Sequence, residues 1–85
     1  MKRYLVIWAL DALDQLALIW IAGPDRDAIT QAQDHIDAIL TNDPRGLGEE
    51  TSEGLWKLIV APLVALYEID DAGGIVRVTG VGRIT

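Results

Sequence analysis

Apolar residues recur at helical spacing along the first half of the chain and alternate along the second. Residues 3–8 (RYLVIW) are β-branched and aromatic with no helical period, which predicts a first strand buried on both faces and central in a sheet. From Ala9 the period lengthens. Leu13, Leu16 and Trp20 fall on one helical stripe with Asp11, Asp14 and Gln15 turned elsewhere, and Gly23-Pro24 stops the helix. Asp25 is placed to cap a second helix whose apolar face is Ile29, Ala32, Ile36, Ile39 and Leu40, while Asn42-Asp43-Pro44 ends it. So short a joint predicts an antiparallel helical hairpin.

Residues 45–54 (RGLGEETSEG) carry glycines and acids with little to bury, and read as a surface loop. Three strand-like runs follow, residues 55–60, 63–70 and 75–81, with breaks short enough for hairpins. Alternation sets Trp56, Tyr67 and Val76 on the side the helices should cover, and Lys57, Ile59, Glu68 and Arg77 on the open side. The expected fold class is therefore α+β: an N-terminal strand, a helical hairpin, then an antiparallel three-strand meander (β-α-α-β-β-β), with the helices packed on one face of a four-stranded sheet. Residues 1–85 are expected to form a single domain.

Composition narrows the functional classes. The chain has no cysteine, so disulfides, thiolate metal sites and thiol nucleophiles are excluded, in keeping with a reducing, cytoplasmic setting. Asp11 and Asp14 interrupt the apolar stretch of residues 4–22, and each would cost about 2.5–3.5 kcal/mol at a bilayer centre, so neither a membrane span nor a signal peptide is expected. Net charge is −6; residues 1–50 hold four basic and nine acidic side chains, and residues 51–85 three and four. Tight, nonspecific nucleic-acid binding is disfavoured by that balance.

Other chemistry-bearing residues read as structural. Asp25, Asp27, Asp34 and Asp37 wind around their helix rather than converge, so no metal site is expected, and no cofactor motif is present; Gly46 and Gly48 make no phosphate loop. Tyr67 shares the parity of Ala65 and Ile69, which predicts packing with its hydroxyl bonded at the rim. Trp8, Trp20 and Trp56 are expected in the core or between helices and sheet, and His35 at the boundary of the second helix's apolar face.

The order of elements, with an alanine-leucine-rich first helix, IDAILTNDP closing the second, then LWKLIVAPLVALYEID and IVRVTGVGRI, resembles the RelE/ParE toxins of type II toxin-antitoxin systems over nearly the whole chain. The resemblance implies a growth-inhibiting toxin with a cognate antitoxin as partner. RelE-like members cleave ribosome-bound messenger RNA using basic side chains on the open sheet face, whereas ParE-like members poison DNA gyrase and lack that set. Carried across, the ribonuclease pattern matches Lys57 and Arg83 as catalytic cations, with Arg77 extending the patch as an RNA contact. Ile59 and Val64 stand where further basic residues are expected, and no Tyr follows Arg83. The resemblance thus implies an endoribonuclease acting with ribosome and messenger. A gyrase poison and a catalytically decayed fold that only binds a protein are the alternatives.

Overall fold

The computed structural model describes residues 3–84: β1 (Leu5–Trp8), α1 (Leu10–Ala22), α2 (Arg26–Asn42), β2 (Glu49–Ser52), β3 (Leu55–Val60), β4 (Leu63–Asp70) and β5 (Ile75–Arg83). The strands form one sheet in the order β1-β5-β4-β3-β2. β2 to β5 are an antiparallel meander, and β1 joins β5 in parallel. Both helices pack on one face, α1 over β5 and α2 across β1, β3 and β4. The α+β class expected from the sequence, with a strand, a helical hairpin and an antiparallel meander in that order, is that of the structure.

Periodicity explains the core. α2 buries Ile29, Ala32, Ile36 and Leu40, an i, i+3, i+7, i+11 stripe, against the inward residues Leu58, Leu63, Ala65, Tyr67, Val76 and Val78 of the sheet. Tyr67 donates its hydroxyl hydrogen to the Pro44 carbonyl at 2.5 Å, so a buried phenol is satisfied at the rim as its parity required.

Four expectations are corrected. β1 is an edge strand rather than a central one, and it is not buried on both faces: Leu5 is 63% exposed on the open side, because the helices cover only the other. The loop read over residues 45–54 contains β2, making five strands rather than four. All four β2 residues are exposed, so the strand rests on ladder hydrogen bonds to β3 and leaves no hydrophobic signal.

In α1 the buried stripe is Ala12, Leu16 and Ile19, not Leu13, Leu16 and Trp20. Apolar residues ring this helix almost completely, so period alone does not choose a face; the small Ala12, fully buried, lets the helix approach the sheet. Trp20 is left 40% exposed, with the Arg26 guanidinium 4.5 Å from its ring centre. Asp25 occupies the N-cap position of α2 but makes no side-chain cap bond, because its carboxylate is engaged by Arg83.

Candidate functional site

Alternation along β3 turns Lys57 and Ile59 away from the helices, opposite in sense to Trp56, Leu58 and Val60. Glu49 of β2 lies directly across from Lys57, and Glu68 of β4 directly across from Arg77 of β5. Residues opposed in an antiparallel ladder share a face at about 5 Å between Cβ atoms. Lys57 and Arg77 therefore both stand on the open face, each with a carboxylate as its neighbour. The strip between them is apolar, made of Val64, Leu66 and the half-exposed Ile59.

Arg83 is on the other side. Leu66 pairs with Gly80 and Tyr67 with Val78, which leaves Thr79 as the extra residue of a β-bulge in β5. One extra residue inverts the alternation, so Val81 and Arg83, across from Ala65 and Leu63, belong to the helix face. α1 holds the bulge: the Gln15 Oε1 accepts the Val81 amide at 2.8 Å. Arg83 reaches the helical joint, donating from Nη1 and Nη2 to Asp25 Oδ1 and Oδ2 at 3.1 and 2.7 Å. The guanidinium holds the Asp25 carboxyl below the usual carboxylate range, and the carboxylate in turn raises the Arg83 pKa. The family pattern had set Lys57, Arg77 and Arg83 together on the open face; the structure brings Lys57 and Arg77 to one face and Arg83 to the opposite one.

This limits the chemistry of the open face. Cleaving RNA through its 2'-hydroxyl needs a base, an acid and positive charge converging on one phosphate. Among the described residues the open face offers two cations on strands separated by β4, each beside a carboxylate, with Arg83 bound behind the sheet.

Of two further features, only the second left a sign in the sequence. At the end of the sheet near residues 43–48, Arg45 donates to Asp71 Oδ1 and Oδ2 at 3.1 and 2.6 Å and lies 5.8 Å from the centre of the Trp56 ring, while the Tyr4 hydroxyl donates to Asp71 Oδ1 at 2.7 Å. The Asp71 hydrogen bond raises the Tyr4 pKa, with desolvation acting in the same direction. Tyr4 and Asp71 are 67 residues apart, so no local pattern announces the cluster. Second, the outward surface of α1 is hydrophobic: Leu10 is 74% exposed and Leu18 68%, and Leu13, Ala17, Trp20 and Ile21 line an open cleft against Thr30 and Gln33 of α2. Contiguous exposed apolar surface of this kind is a mark of interaction sites in general. The surplus of apolar residues in α1, Leu18 and Ile21 among them, was its signal in the sequence.

Among the described residues no group of His, Asp and Glu side chains is arranged to hold a metal ion, and no helix is long and apolar enough to cross a membrane. No family model matches the sequence, and no curated protein does. Solved structures do resemble it. One is a RelBE toxin-antitoxin complex from Mycobacterium tuberculosis, at TM-score 0.79 and 22% identity over 95% of this chain and 98% of that one. A chromosomal ParDE toxin-antitoxin system from P. aeruginosa matches at TM-score 0.73 and 14% identity over 100% of both chains. An archaeal RelE-RelB complex from Pyrococcus horikoshii matches at TM-score 0.63 and 13% identity over 99% and 97%. The chain has the fold these structures share, as its resemblance to RelE/ParE toxins implied.

Proposed function

We propose that residues 1–85 form a single toxin domain of the RelE/ParE kind, a growth inhibitor held in check by a protein antitoxin. The observation that carries this reading is likeness from end to end, in both chains, to proteins solved in toxin-antitoxin assemblies. The exposed apolar surface of α1 supports it from within, because a helix of this size with Leu10, Leu13, Leu18, Trp20 and Ile21 facing water fits a chain made to be covered.

For the mode of inhibition, the geometry favours action through a protein target, such as gyrase, over cleavage of ribosome-bound messenger. The open sheet face is apolar and charge-balanced, and Arg83 is engaged by Asp25 behind it. The ribonuclease reading retains one supporting observation: Lys57 and Arg77 share the open face. In that reading Lys57 is a catalytic cation and Arg77 an RNA contact, while Arg83 would have to leave Asp25 to take part.

Inducible expression in a bacterial host tests both levels. Growth arrest relieved by co-expressing the product of the adjacent reading frame is the expected result; no arrest at high expression overturns the toxin reading. Substituting Lys57→Ala with Arg77→Ala leaves arrest intact if a protein is the target and abolishes it if messenger is cleaved. Mapping messenger ends against gyrase-linked DNA breaks then identifies the target.

A further inference from the structure

The open side of the sheet carries a furrow. Val64 and Leu66 of β4 point away from the helices, and the residues directly across from them on β5 are Gly82 and Gly80, which offer no side chain. Ile59 and Lys57 of β3 stand at the same two levels. Ile59, 54% exposed, forms a ridge, and the two glycines form the hollow beyond Val64 and Leu66. β1 stops at Trp8, level with Val78, so among the described residues no strand flanks the hollow on its far side. The backbone does not require these glycines: positive φ occurs at Gly54 and Gly74, and at neither of them. A Cβ on Gly80 would meet Gln15 Oε1 at 3.5 Å and Leu66 at 3.7 Å, ordinary contact, and one on Gly82 would press on Val64 at 3.3 Å. Glycine weakens a strand interior, and where the fold has room for a side chain it marks close approach from outside.

Charge is arranged so that this face can meet itself. Much of the chain's acid lies on the helices, at Asp11, Asp14, Asp27, Asp34 and Asp37. The open face instead sets Lys57 across from Glu49 at one margin and Arg77 across from Glu68 at the other. Asp70, at its end, is engaged in the turn between β4 and β5, where it accepts the Gly73 amide at 3.0 Å. Two copies meeting through their helices would oppose like charges, whereas two meeting through their sheets bring both signs to each margin.

We propose that a second copy of this chain covers the furrow, the two sheets packing open face to open face about a two-fold axis along β4. Sheets packed face to face lie about 10 Å apart with their strands nearly aligned. This axis lays β3 of each copy over β5 of the other, so Ile59 enters the hollow at Gly82 and the Lys57 stem crosses Gly80. The Lys57 ammonium then reaches Glu68 of the second copy, and the reciprocal contact forms by symmetry. Val64 and Leu66 of the two copies meet at the axis. The inference goes beyond the toxin reading and draws nothing from it.

Sedimentation equilibrium of the whole chain, from micromolar to millimolar, should show the mass rising from one chain to two. Ile59→Lys should raise the dissociation constant by at least about tenfold, while Leu18→Lys, on the outer surface of α1, leaves it unchanged. Gly80→Ala should weaken association yet leave the melting of the dissociated chain unchanged or higher, opposite signs that a general loss of packing does not produce. Lys57→Glu and Glu68→Lys should each weaken association by about tenfold alone. An equimolar mixture of those two variants should recover it, because each contact in the mixed pair then joins opposite charges. A mass of one chain throughout overturns the proposal and leaves the furrow to a different protein. Association lost with Leu18→Lys but kept with Ile59→Lys assigns the interface to α1 and overturns it too, as does a mixture no tighter than its components. Growth arrest enters none of these readouts, so their failure and that of the toxin reading are separately visible.

Discussion

Removing one oxygen atom from Tyr67 tests how the segment between α2 and β2 is held. Its ring is fully buried in β4, and its hydroxyl supplies the hydrogen bond to the Pro44 carbonyl. Gly48 packs so closely that a Cβ there would sit against the Tyr67 hydroxyl and 2.9 Å from the Pro44 oxygen. Tyr67→Phe leaves that carbonyl without its donor, a loss of about 1–3 kcal/mol where water does not replace it. A domain of 85 residues has roughly 4–13 kcal/mol in all, so the variant should melt about 6–17 °C lower. Gly48→Ala should cost about 1–3 kcal/mol by overpacking. The decisive quantity is their coupling. With the hydroxyl gone, the added methyl has somewhere to go, so the double variant should be more stable than the sum of single losses by at least about 0.5 kcal/mol. Urea unfolding of the four proteins, followed by tryptophan fluorescence, measures this. Strict additivity, or a Tyr67→Phe variant as stable as the parent, would refute the account of the rim.

Three further outcomes are expected. Burial pushes the Tyr67 hydroxyl up to about 12 from 10.0, so the folded state keeps a proton the unfolded chain releases. Stability should be level below pH 9 and fall by up to about 3 kcal/mol between pH 10 and 12, with Tyr4 acting in the same direction; a flat denaturation profile to pH 12 contradicts this. Leu40→Ala, at a fully buried position of α2, should lose about 2–5 kcal/mol in the same urea assay, whereas Leu18→Ala on the outer surface of α1 should change stability by less than about 0.5 kcal/mol. Deleting Thr79 removes the bulge and turns Val81 and Arg83 outward, so the Gln15 and Asp25 contacts go together; a deletion variant with unchanged stability would show that β5 does not depend on its extra residue.

What could be read in advance followed from periods long enough to repeat. α2 repeats its stripe over four buried positions, and β4 alternates over eight residues, so both elements and their faces were legible. β2 was not, because a strand of four exposed polar residues owes its existence to its neighbour's backbone. α1 was located but wrongly rotated, since a helix apolar almost all round has no preferred face until the sheet supplies one. The same reasoning governs the site. Lys57 and Arg77 were assigned to the open face correctly because no irregularity intervenes before them. Arg83 was misplaced because the family pattern matches a position in the sequence and not a face, and the bulge at Thr79, hinted at locally by Gly80, inverts the alternation before it.

The Thr79 insertion also bears on how proteins of this fold diverge. Adding or losing a single codon just before the end of the last strand relocates every side chain that follows, and with it a guanidinium, from one surface of the molecule to the other. Two relatives spelling the same C-terminal residues could thus direct one arginine to fasten a helical joint and its counterpart to meet a ligand, with no change of letter to mark the difference.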